Sequence, residues 1–164
     1  MSLRPATGAD LAFIRSLTGR PDYAPFLTDE DEEGLSVYLT TSAHRLLVWG
    51  DNQGFALFAQ IGEPSGAVEL RRLGLADAGR GQGQPFLRDL IDYAFRDLRA
   101  QRLWLDASSE NPRAMASYVK AGFTLEGCQR QHWYRPALGR SVDLMLYGML
   151  RGEWQALAAR NPAP

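Results

Sequence analysis

At 164 residues and a net charge of −1, the chain is the size of one ordinary domain and carries no general attraction to nucleic acid or to an anionic membrane. Its single cysteine, Cys128, excludes an internal disulfide, and its two histidines, His44 and His132, do not form a zinc-type cluster with it. Residues Met1–Pro5 hold no apolar signal core and no apolar run is long enough to span a bilayer, so a soluble, cytoplasmic, metal-free domain over residues 1–164 is expected.

In chain order, Leu3–Pro5 reads as a short edge strand. Asp10–Leu17 reads as a helix, with Leu11, Ile14 and Leu17 on one face. Pro21–Thr28 is a loop, and Thr28 is expected to cap a second helix that runs to Leu39 with acids in its first turn. Arg45–Trp49 and Phe55–Ile61 flank a hairpin signal at Gly50–Gly54. Val68–Leu75 is a third long strand. A Gly-rich turn then leads into a helix with Pro85 at its first position and an apolar stripe of Leu87, Leu90, Ile91, Ala94 and Leu98. Arg102–Asp106 is a short strand. Asn111 caps, and Pro112 starts, a helix that Gly122 ends. Phe123–Tyr134 and Ser141–Leu150 make a closing hairpin, and Trp154 and Leu157 mark a weak C-terminal turn. The order is β-α-α-β-β-β-α-β-α-β-β, an antiparallel meander that enters one β-α-β crossover.

The turn Arg80–Pro85 lies inside that crossover. Glycines between a strand and a helix leave backbone N–H groups pointing outward at a helix N-terminus, which is an anion cradle; the same glycines also suit a plain tight turn. A phosphate loop of the Gly-Lys-Ser/Thr type is absent. A dinucleotide-binding turn, with Asp106 as the ribose acid, fails at its third glycine, where Phe86 stands.

The segment Val68–Leu75 followed by Arg80–Pro85 resembles the coenzyme A segment of the GNAT superfamily of N-acetyltransferases. Asn111–Phe123 resembles the family's Asn-x-x-Ala…Tyr…Gly-Phe block, and Glu126–Trp154 resembles the branch that includes ribosomal-protein N-terminal acetyltransferases. The resemblance implies an α+β fold: a three-layer sandwich with a mixed, mostly antiparallel sheet of about seven strands, helices on both faces, and a splay between strands 4 and 5. It implies acetyl-CoA as co-substrate and a primary amine, on a small molecule, peptide or protein, as acceptor. Oligomeric state is left open, a homodimer included. The sixth position of the motif is Pro85 where the family has Gly or Ala, and proline removes one N–H donor.

By the same resemblance, backbone groups of Leu73 and Leu75 pair with the pantetheine arm. N–H groups of Gly81, Gln82, Gly83 and Gln84 hold the pyrophosphate, and Arg80 adds a rim cation. Tyr118 is the candidate general acid, against the alternative of a core tyrosine on the Met115/Tyr118/Val119 stripe. Glu69 is the candidate base, directly or through water, against a solvated strand residue; strand alternation sends Glu69 and Arg71 to one face and Leu70 and Arg72 to the other. Asn111 is an N-cap, a coenzyme contact, or both. The acidic run Asp29–Glu33 either draws a cationic amine or only solvates a first turn. Cys128 is expected to be a buried thiol. A coenzyme A-binding module without turnover is the competing function on this fold.

Overall fold

A computed structural model describes residues 1–160. Seven strands form one sheet: β1 (Leu3–Pro5), β2 (Arg45–Trp49), β3 (Gly54–Ala59), β4 (Ala67–Leu75), β5 (Arg102–Ser108), β6 (Thr124–Arg135) and β7 (Arg140–Leu150), in the spatial order β1-β2-β3-β4-β5-β7-β6. Every pairing is antiparallel except β4 with β5. The fold expected from the resemblance is therefore the one observed, with β7 inserted between β5 and the exposed edge strand β6.

The two faces carry separate cores. On one, α1 (Leu11–Thr18) and α2 (Glu32–Thr40) cover the alternate side chains Leu46, Phe55 and Leu57 with Leu11, Ile14, Leu17 and Leu35. On the other, α3 (Gly83–Arg96) and α4 (Pro112–Ala121) close over Leu47, Phe58, Leu70, Leu103 and Leu105 through Phe86, Leu90, Phe95 and Tyr118. Burying side chains of this size stabilises a fold by about 1.5–3 kcal/mol each, so both faces of the central strands are committed.

Several boundaries differ from the sequence reading. Thr28 is not the cap of α2; Asp31 is, its side chain accepting the Gly34 N–H at 2.8 Å. The C-terminal turn is a full helix, α5 (Arg151–Arg160), anchored by Trp154, which donates to Asp92 at 2.7 Å and stacks on Phe95. Two apolar residues gave it little periodicity; its order comes from contact with α3. Cys128 is exposed on the edge strand, not buried, because β6 covers neither core with its central residues.

A charged lock fixes the start of α1 against the sheet. Arg4 on β1 forks onto Asp10 at 2.7 and 2.8 Å, and Asp10 also accepts the Thr7 N–H and hydroxyl. The Arg4 guanidinium, helped by Thr7, holds the nearly buried Asp10 carboxyl well below the usual carboxylate range. A folded pKa below the unfolded one stabilises above about pH 4 and loses that stabilisation as pH falls further. Asp10→Asn should therefore cost about 1–3 kcal/mol at pH 7, with a penalty that shrinks progressively below pH 4. Urea unfolding midpoints at the two ends of that range measure it; equal wild-type and variant stability at pH 7 would show the fork to be inconsequential.

Candidate active site

The site is built where β4 and β5 part. Their parallel ladder lasts three residues, Ala67–Glu69 against Arg102–Trp104, while β4 runs on to Leu75 and β5 to Ser108. A bulge helps to turn β4 away. In the pairing with β3, Leu57 faces Arg72 and Phe58 faces Leu70, so Arg71 is the extra residue. The alternation expected from sequence is shifted by that residue. Glu69 and Arg72 lie toward α2, Leu70 and Leu73 toward α3, and the expected grouping of Arg72 with Leu70 is incorrect.

Past β4 the chain turns through Gly79 (φ +106°) and Gly81 (φ +76°), a left-handed path that favours glycine. The N–H groups of Gly81, Gln82, Gly83 and Gln84 have no backbone acceptor among the described residues; Phe86 is the first to close the helix, onto the Gln82 carbonyl at 3.0 Å. A Cβ at Gly81 or Gly83 would meet nothing within 4 Å, which leaves room for a close ligand. Such a row of free donors at a helix start fits a pyrophosphate. Pro85 is the third residue of α3, not the first, because Gln82 already has helical angles (φ −83°, ψ −9°) and the helix begins at Gly83. Proline is tolerated there because the N–H it lacks is one of the helix's orphans.

Arg80 is largely exposed and lies 3.6 Å from the Asp77 carboxylate. Sequence reasoning missed a second cation at this rim: Arg113 of α4, whose guanidinium lies 3.6 Å from where a Gly79 Cβ would stand. Gln84 donates to the Ser117 carbonyl at 3.0 Å and ties the start of α3 to α4. Asn111 caps α4 by accepting the Ala114 N–H at 3.1 Å, which uses only its side-chain oxygen.

The edge of β4 that faces the opening is partly occupied. Ala76 donates back toward β3, to the Gln53 carbonyl, so the preceding Leu75 groups point into the splay. The Tyr23 hydroxyl donates to the Leu75 carbonyl at 2.7 Å and accepts the Leu75 N–H at 2.9 Å. Leu73 presents its groups to the same edge. Of the two residues expected to pair with pantetheine, Leu75 is thus already paired. Arg135 secures the Tyr23 turn from β6, donating to the Ala24, Pro25 and Leu27 carbonyls.

Tyr118 lies on the α3 side of the opening. It is 8% exposed, packed edge-on by Phe123 and Tyr147, and its hydroxyl has no hydrogen-bond partner among the described residues. Burial pushes its pKa up, and the charges of Asp106 and Tyr147 push it further, so the phenol keeps its proton at any physiological pH. The core-tyrosine and functional readings thus describe one residue: the ring is core, the hydroxyl is free.

On the α2 side, Glu69 is 9% exposed and one of its oxygens, Oε2, accepts Arg71 Nε at 3.0 Å and Nη2 at 2.7 Å. Its other oxygen has no partner among the described residues. Glu69 is in register with Trp104, so Asp106, two residues on, shares its face of the sheet. Burial raises the Asp106 pKa, and Glu69 raises it further, while His132 and Arg71 oppose. His44, without assigned chemistry in the sequence, lies 3.4 Å from Arg71, and burial followed by Arg71 lowers its pKa. The acidic run is engaged by the fold: Asp29 accepts the Thr18 hydroxyl, Glu30 pairs with Arg72 and Tyr38, and Asp31 caps α2.

Residues 1–124 match the family model described as an acetyltransferase (GNAT) domain. The chain is 29% identical over 144 residues to the spermidine N(1)-acetyltransferase of Vibrio cholerae, covering 77% of this chain and 80% of that one. It is 31% identical to the N-alpha-acetyltransferase RimI of Mycobacterium tuberculosis, over 49% of this chain and 50% of the relative. A crystal structure of the Vibrio cholerae spermidine N-acetyltransferase in complex with CoA and spermine superposes with a TM-score of 0.84 at 23% identity, covering 94% of this chain and 97% of that one.

If the start of α3 is an anion site short of one donor, Pro85→Ala should lower the dissociation constant for coenzyme A by roughly two- to tenfold, as read by isothermal titration. An unchanged constant would mean the third position of α3 does not face the ligand.

Proposed function

We propose, for a chain that belongs to the GNAT acetyltransferase family, that it moves the acetyl group of acetyl-CoA onto a primary amine by direct attack in a ternary complex. The observation that carries this reading is the opening between β4 and β5, with the free Tyr118 hydroxyl on one side and the half-free Glu69 carboxylate on the other. When bound, the coenzyme supplies a thioester, an acyl group activated toward amines. The row of N–H groups from Gly81 to Gln84, with Arg80 and Arg113 at its rim, would hold the diphosphate; Leu73 and, once released, Leu75 would align the arm.

The chemistry needs two proton movements. The attacking amine forms the new C–N bond and gives its proton to the free oxygen of Glu69, directly or through a water. Arg71 pins the opposite oxygen and leaves the free one available. The C–S bond breaks, and the departing sulfur takes the Tyr118 proton. Burial keeps that proton on the phenol until the thiolate develops and strengthens the hydrogen bond between them, while the raised pKa makes the phenol the weaker acid. Small-molecule, peptide and protein amines all remain acceptors in this reading. A cytoplasmic location belongs to the same reading and agrees with the lone cysteine.

One observation favours a second reading, a coenzyme A-binding module without turnover: Arg71 pairs with Glu69 and competes with its use as a base. Incubation with acetyl-CoA and a panel of amines (polyamine, peptide α-amine, aminoglycoside), read as free thiol, separates the two. Thiol release above the no-amine control supports transfer; coenzyme binding without release supports the module. In the active case Tyr118→Phe should lower kcat by about 10²–10⁴-fold and leave coenzyme A affinity nearly intact. An unaltered kcat would remove Tyr118 from the acid role.

A further inference from the structure

The Tyr23 hydroxyl is both a donor and an acceptor on one residue's backbone, Leu75, at 2.7 and 2.9 Å. That is the pairing an amide-bearing chain would make if it added alongside β4 at this edge. Two ligands cannot share one N–H and one strong carbonyl direction. The phenol is also held from its other side. The Arg20 guanidinium stands 5.2 Å over its ring and donates to the Ala76 carbonyl at 2.7 Å, while Asp22 forks onto Arg20.

We propose that Tyr23 is a latch on the coenzyme slot: its phenol stands in for the pantetheine amide at Leu75 and must swing out before the arm can lie along β4. The inference rests on the coenzyme reading above and adds a residue that sets affinity and access. The swing does not require the turn to unfold. Tyr23 is bounded by backbone bonds of its own turn, from the Phe26 and Leu27 N–H groups to the Tyr23 carbonyl, both at 2.8 Å. The following residues are clamped by Arg135. Rotation about the Tyr23 side-chain bonds is therefore enough. The energy to be overcome is two hydrogen bonds and one cation–π contact with Arg20.

Tyr23→Phe removes the bonds and keeps the ring. Its coenzyme A dissociation constant by isothermal titration should be about tenfold lower than wild type, because Leu75 then exchanges only water for the arm. Hydrogen exchange on the peptide that contains Leu75 gives a second readout. In the absence of coenzyme it should be faster in Tyr23→Phe than in wild type, and coenzyme A should restore slow exchange in the variant. Wild-type binding with an equal or weaker constant in the variant overturns the latch while leaving the coenzyme reading standing. Failure of both proteins to bind coenzyme A overturns both. Binding by the variant alone supports the latch in its strongest form. A merely structural Tyr23 would speed exchange without tightening the coenzyme.

Discussion

The short parallel ladder between β4 and β5 governs the rest of the site. Three residue pairs hold the strands together, and then each goes to a different neighbour: β4 stays with β3 through the bulge at Arg71, and β5 pairs with β7 along its whole length. Backbone groups on the inner edges are left without a strand. In a sheet interior that is costly, since an unmet buried amide loses about 1–3 kcal/mol. At Leu75 that cost is offset by the Tyr23 phenol, which meets both the N–H and the carbonyl. A site made of unmet backbone donors is thus also a standing cost, offset by a side chain until a ligand replaces it.

The opening also sorts chemistry by face. Side chains alternate across a strand, so the sheet separates what points toward α3 from what points toward α2. Tyr118 arrives from α4 on the first side; Glu69 and Asp106 stand on the second. The proposed proton donor and proton acceptor are thus held on opposite faces of the sheet. The influence of Asp106 on Tyr118 is felt across the opening as a charge. The one-residue bulge adds Arg72 to the α2 side, where it pairs with Glu30.

What could be read from sequence was what is local. The left-handed glycines of the turn and the Asn111–Pro112 cap are each encoded within a few residues by backbone freedom or capping chemistry and are found in place, whereas of the expected Met115/Tyr118/Val119 stripe Val119 is exposed and Pro85 sits third in α3, not first. The bulge was not legible, since nothing in Val68–Leu75 distinguishes a regular strand from one with an extra residue. Tyr23 was read as a plain loop residue because its partner lies 52 positions away. Arg135 was unassigned for the same reason, being joined to carbonyls about 110 positions earlier. The exposed Cys128 was misjudged from residue type alone; β6 becomes the sheet's edge only because β7 takes the place beside β5.

The charges on the acceptor side have a further consequence for which amine can react. Of the acidic run only Glu30 is ion-paired, with Arg72; Asp29 and Asp31 accept from neutral donors and Glu32 and Glu33 stand exposed, so the run keeps most of its negative charge. Glu69 keeps one oxygen, and Asp106 keeps its whole carboxylate, half-buried and without a hydrogen-bond partner among the described residues. In the proposed reaction an ammonium that reaches the opening finds these two carboxylates there. It must also lose a proton before its nitrogen can attack. In the proposed reaction that proton goes to Glu69, and Asp106, whose proton affinity is raised by burial and by the neighbouring Glu69, stands beside it as a second carboxylate. Arg71 and His132 oppose that rise. Under the proposed transfer, recognition and activation of the amine would therefore draw on the same two carboxylates.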